Sequence, residues 1–168
     1  MELTLGRRAD YAIRATLALA RAPERRHKTR ELATAMSIPG GYLPQIMAQL
    51  VRSRIVTSVA GPRGGYALAR AASAISMLDV IEATEGDPTA GECVMRGGPC
   101  RWDDVCAVHV SWTRAQQALL LQLSTTSFAA LALLDADLDA GTFVLPPDLA
   151  RLRPTPEPTT GTSSDEVP

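Results

Sequence analysis

Cys93, Cys100 and Cys106 are the chain's three cysteines, and all fall in one short stretch that ends three residues before His109. Six residues separate the first two and five the next two. Soft thiolates gathered on a loop that Gly97, Gly98 and Pro99 allow to fold back are the ligands an iron-sulfur cluster or a zinc ion requires. The chain is therefore expected to carry a metal centre. Zinc would take Cys93, Cys100, Cys106 and His109 as a Cys3His set, but zinc ligands usually come in pairs about two to four residues apart. The wider spacing favours a cluster, with unligated thiols as a further alternative. An odd cysteine count, and an N-terminal stretch Met1 to Arg8 without a long apolar run, argue against structural disulfides. Cys106 and His109 are spaced for one helix face, yet no third group orients them for nucleophilic catalysis.

The elements that must hold this loop lie on both sides of it. At 168 residues there is room for one compact domain with a dimerisation appendage, or for two small lobes. No apolar run is long enough to span a bilayer, so a cytoplasmic protein without a membrane partner is expected. A net charge of −1 hides a sharp asymmetry. Residues 1–75 hold twelve basic and four acidic side chains, a net of +8; residues 76–168 hold five and fourteen, a net of −9. A basic front half suggests that this half alone meets a polyanion, although a solvated basic face would look the same.

Periodicity predicts a helix over residues 5–22, stopped before Pro23. A polar connector, residues 24–28, leads to Thr29 as N-cap of a short helix with Leu32, Ala33 and Met36 on its apolar face. A turn over residues 37–41 precedes a second helix, residues 42–51, with Leu43, Ile46, Met47 and Leu50 on one side and Pro44 tolerable only in the first turn. Strand-like residues 55–59, a loop Gly61-Pro62-Arg63-Gly64-Gly65 and a return strand 66–69 follow. A helix, a turn, a helix and then a hairpin make a winged helix, which sets one helix in the major groove and lets a basic loop reach the flanking backbone. Tyr42, Gln45 and Gln49 are the base-reading candidates on the exposed face of the second helix. Arg52, Arg54 and Arg63 are the phosphate candidates, and Gly64 and Gly65 would allow close phosphate approach.

Past the wing, Ser76 caps a further helix. Val105, Val108, Trp112, Ala115 and Leu119 then step by three and four, the seam spacing of a helix packed on another, and a seam between two copies of the chain is favoured. One more short helix is expected over residues 128–134, and a disordered tail over 146–168, rich in Pro, Thr, Ser and acids. The fold class is mainly α: a winged helix-turn-helix with a small β-hairpin wing and a long dimerisation helix. The expected division is 1–75 for DNA binding, 76–140 for the cysteine loop and dimerisation, and 141–168 for the tail.

The order of these motifs resembles the Rrf2 family of winged-helix transcriptional regulators, which includes iron-sulfur-assembly and nitric-oxide-sensing members. The likeness rests on Arg8 to Ala15, on Ile38-Pro39 through Tyr42-Leu43-Pro44-Gln45-Ile46, on residues 61–69 and on the Cys-Cys-Cys-His loop, and covers about residues 1–135. It implies a homodimer that binds a double-stranded DNA operator, no enzymatic activity, and an iron-sulfur cluster, two-iron or four-iron, whose state sets operator affinity. It also implies Cys93, Cys100 and Cys106 as ligands, with the fourth from Asp10 of the partner subunit or from His109, Asp10 being favoured. Two departures stand out. The first cysteine gap is six where five is common, and Ala60 stands where many members carry a wing arginine. A regulator working through apo thiols or structural zinc is the alternative reading, and an enzyme or metal-storing module the rival from another class.

Overall fold

The computed structural model describes residues 5–87 and 106–147. Helix α1 (Arg7–Arg21) lies at the centre, because its buried face is made of small side chains. Ala9, Ala12 and Ala15 are fully buried, which lets neighbouring helices approach closely, and the buried Thr16 hydroxyl donates to the Ala12 carbonyl at 2.8 Å. Helix α2 (Thr29–Ala35) and helix α3 (Leu43–Arg52) pack beside it. Leu32 of α2 and Leu43, Ile46, Met47 and Leu50 of α3 fill the common core.

Both helices of this pair end in the same way. After α2, Ser37 takes a left-handed φ of 51°, and the N–H groups of Ser37 and Ile38 return to the carbonyls of Thr34 and Ala33. After α3, Arg54 takes φ 55°, and the N–H groups of Arg54 and Ile55 return to Val51 and Leu50. These are Schellman terminations, each seating a buried isoleucine, Ile38 or Ile55, against the core. They fix the sharp turn between the helices and the exit toward the wing.

Strand β1 (Val56–Val59) pairs antiparallel with β2 (Gly65–Leu68) in the register Val56↔Leu68 to Val59↔Gly65. His27 adds a bridge to the other edge of β2, exchanging both backbone hydrogen bonds with Tyr66 at 2.8 and 2.9 Å. A single turn of 3-10 helix, Ala72–Ala74, leads to helix α4 (Met77–Glu85). Ser76 caps it by accepting from Asp79 N–H at 3.1 Å, and the Asp79 carboxylate accepts Ser76 N–H at 2.8 Å. Helix α5 (Ala107–Thr125) packs on α4 and buries no side chain fully. Helix α6 (Phe128–Asp139) returns to α1, its Phe128 fully buried and its start tied to α4 by Met77 N–H to Thr126 and Phe128 N–H to Ile75.

The helix-turn-helix, the hairpin and the capped fourth helix all form as the sequence predicts, within a residue or two. Three details differ. Lys28, not Thr29, occupies the N-cap of α2, because the acceptor for its backbone N–H is the Glu31 carboxylate at 3.1 Å. Gly65 opens β2 instead of ending the loop. Helix α6 runs to Asp139, five residues past the expected end, and stops at Gly141 with φ 68°. Val105 and residues 148–168 of the expected tail lie outside the described residues.

Candidate nucleic-acid interface and metal ligands

Helix α3 turns its apolar side inward, which leaves Tyr42, Gln45 and Arg52 exposed and Gln49 half-buried on the opposite side. With Arg8 from α1 they border a cleft of about 360 Å³. The Tyr42 ring, half-exposed, stands tilted against Tyr11 with centroids 6.0 Å apart, so α1 orients it. Gln49 Oε1 is buried without a hydrogen-bond partner. A carboxamide presents both an acceptor and a donor, the pair that the major-groove edge of adenine complements.

The wing closes through a turn over residues 61–64, in which Gly64 N–H donates to the Gly61 carbonyl at 3.0 Å. Pro62 sits at its second position and Gly64 at its fourth, the places these residues favour in a type I turn. Arg63 is exposed at the third. The two glycines flagged for phosphate approach have reasons internal to the wing. A Cβ on Gly64 would stand 2.0 Å from the Val59 carbonyl oxygen, and one on Gly65, at φ 142°, 2.6 Å from the His27 carbonyl oxygen. Arg54 is exposed at its left-handed position between α3 and β1.

Of the expected metal ligands, Cys93 and Cys100 lie outside the described residues. Cys106 is the N-cap of α5, half-exposed, its Sγ accepting His109 N–H at 3.3 Å. The His109 side chain is exposed one turn along. Asp10 pairs through Oδ1 with Arg14 Nε at 2.9 Å, so a ligand role would share this carboxylate with an arginine. Among the described residues no three His, Cys, Asp or Glu side chains gather.

Several contributing residues escape sequence reasoning. Arg8 joins the α3 cleft from another helix. His27, buried, ties the end of α1 to the wing through its Nε2 contact with the Ala22 carbonyl at 3.0 Å. Arg21 forks onto Asp135 and Asp139, which holds α6 to α1 and raises the guanidinium pKa, the Asp139 hydrogen bond being the larger cause. The Glu31 carboxyl is held below its ordinary value of 4.5, first by Lys28 N–H and then by Arg25. No local pattern announces these contacts, because each joins separate elements.

Residues 5–133 match the family model of Rrf2, described as an iron-dependent transcriptional regulator. ORF2 of Azotobacter vinelandii, assigned as an HTH-type transcriptional regulator, is 34% identical over 130 residues, covering 77% of this chain and 79% of its own. The HTH-type transcriptional regulator IscR of Klebsiella pneumoniae is 34% identical over 89 residues, 53% of this chain and 54% of its own. Among solved structures, CymR, the global cysteine regulator of B. subtilis, superposes with a TM-score of 0.67 at 24% identity, covering 78% of this chain and 97% of its own. That likeness shows the same fold.

Proposed function

The chain belongs to the Rrf2 family of transcriptional regulators, and from that premise we propose a homodimeric DNA-binding regulator whose operator affinity depends on an iron-sulfur cluster. Residues 1–75 form the DNA-binding part in this reading, 76–140 the cluster-binding and dimerisation part, and 141–168 the tail. Tyr42, Gln45 and Gln49 read base edges, while Arg52, Arg54 and Arg63 neutralise phosphates. Cys93, Cys100 and Cys106 hold the cluster, with Asp10 of the partner subunit or His109 completing the set. A bound cluster supplies a joint that oxidants or nitric oxide alter and that iron shortage empties.

One observation carries this reading: the Cys106 thiol begins α5, a helix that buries no side chain fully among the described residues. A change of bonding at that sulfur acts on the first turn of the helix that joins two copies. It thereby shifts the spacing of two α3 helices without touching either. The same half-exposed thiol at a helix N-terminus also suits direct thiol chemistry, so regulation through apo thiols is the second reading.

Anaerobic purification, an absorption spectrum, and iron and sulfide analysis separate cluster, zinc and bare thiol. Binding to the protein's own promoter DNA should then weaken or strengthen by about tenfold, a coupling of about 1.4 kcal/mol, when Cys93, Cys100 or Cys106 becomes Ala. Unchanged iron in all three variants would overturn the cluster. Equal promoter affinity with and without metal would favour the apo-thiol regulator. Asp10→Ala is expected to cost more iron than His109→Ala, and the reverse ranking would assign the fourth ligand to His109.

A further inference from the structure

Seventeen side chains of this protein are Lys or Arg, and one of them, Lys28, is lysine. Its Nζ donates to the carbonyls of Pro62 and Gly61, the latter at 3.4 Å, at the tip of the wing. The backbone beneath it is held just as closely. Lys28 N–H donates to Glu31, His27 exchanges both backbone bonds with Tyr66, and Arg26 Nη1 reaches the Gly65 carbonyl at 3.4 Å. Residues 26–28, a polar connector by sequence, thus lie along the wing and grip it from Gly61 to Tyr66.

We propose that Lys28 is the latch of the wing, a positioning residue whose ammonium fixes the Gly61-Pro62 carbonyls and so preorganises Arg63 for the DNA backbone. The inference rests on the reading of the wing as a DNA contact. The tip needs such a latch. Gly61 stands at φ 102°, Pro62 has no N–H to give, and the turn has the Gly64-to-Gly61 bond across it. A compact ammonium with three tetrahedral N–H groups satisfies two carbonyls of one tight loop, where a planar guanidinium spreads its donors. The ammonium is also the group that acetylation neutralises, so charge loss at this one side chain should release the wing while every arginine stays charged.

The test uses the full chain. Hydrogen exchange over residues 59–66 without DNA should be at least tenfold faster in Lys28→Met than in the parent, with the amides of α1 and α3 unchanged. Affinity for promoter DNA should fall about tenfold, the scale of one lost charge-assisted hydrogen bond. It should fall far less when Lys28→Met is added to Arg63→Ala, because the latch acts through Arg63. Acetylation with an amine-directed reagent should reproduce both effects in the parent and neither in Lys28→Arg, which retains only the N-terminal amine as target. Unchanged wing exchange in Lys28→Met and in the acetylated parent overturns the latch whatever DNA binding does. Faster exchange with additive affinity losses overturns the route through Arg63 and makes Lys28 a phosphate contact in its own right. No effect of Arg63→Ala on affinity overturns the reading of the wing, and the latch is then decided by exchange alone.

Discussion

Helices α3 and α5 are built from similarly apolar residues, yet they have opposite relations to the core. The ten residues of α3 include four side chains that are at most 2% exposed: Leu43, Ile46, Met47 and Leu50. The nineteen residues of α5 include none that is fully buried, and Val108, Val110, Leu119 and Leu121 are all more than 40% exposed. Helix α3 therefore completes its packing within one chain, whereas α5 keeps apolar side chains uncovered by the described residues. Burying a Leu or Val side chain is worth about 1.5–3 kcal/mol, so four such residues left in water are a substantial reserve for association. We propose a second copy of the chain as the surface that covers them, on the seam spacing of α5.

Phe128 marks where the closed core ends, and Phe128→Ala should break it most severely. The side chain is fully buried at the start of α6, and its loss should cost about 3–5 kcal/mol in urea unfolding. A cost below 1 kcal/mol would mean that α6 is not part of the core. On the other side of the comparison, Val108→Asp and Leu119→Asp, both on the proposed seam, should each dissociate the dimer in analytical ultracentrifugation. They should leave the unfolding of the monomer within about 0.5 kcal/mol, as expected for sites on an exposed surface. A dimer that survives both changes would move the interface away from α5.

The contrast also separates what periodicity reveals from what it hides. Leu43, Ile46, Met47 and Leu50 announce α3 because a buried stripe repeats with the helix, and Ser76 with Asp79 announces the start of α4 because capping is local. The candidate base-reading face followed from the same stripe by exclusion. Arg8 at the α3 cleft, His27 on β2, Lys28 on the wing tip and the Arg21 fork were not legible, since each depends on how separate elements meet. The α2 cap shows the limit even at short range. Thr29 has the better capping side chain, but with Lys28 extended at ψ 150° the carboxylate of Glu31 reaches the cap N–H, and the helix starts one residue earlier than a Thr29 cap would place it. The extra length of α6 likewise follows from Asp135 and Asp139, whose partner Arg21 lies on α1.

A smaller effect is expected at Arg54. Helices α3 and α6 end in the same hydrogen-bond pattern, but α6 places Gly141 at the left-handed position and α3 places Arg54. A side chain there costs about 1–2 kcal/mol relative to glycine, less the entropy that glycine regains on unfolding. Arg54→Gly should therefore stabilise the fold by about 0.5–1 kcal/mol and lower the salt slope of DNA binding by about 0.9 if Arg54 neutralises one phosphate. Greater stability with an unchanged slope would remove Arg54 from the interface. Lower stability would show that its side chain, and not its backbone, holds the turn.

The smallest expected effect is the response of the α2 cap to pH. Glu31 is exposed, and its carboxyl titrates below 4.5 because the Lys28 N–H, and then Arg25, favour the charged form. A carboxyl whose pKa is lower in the folded than in the unfolded state contributes stability that is complete above the unfolded value. That contribution is lost as pH falls through the folded one. Glu31→Gln keeps an acceptor for Lys28 N–H but loses the charge, so the parent should be the more stable protein at pH 7 and the two should converge below pH 4.5. Exchange of the Lys28 and Leu32 amides should show the same convergence, because both N–H groups belong to the first turn of α2. A stability gap that stays constant from neutral to acid pH would show that the cap depends on the shape of the Glu31 side chain and not on its charge.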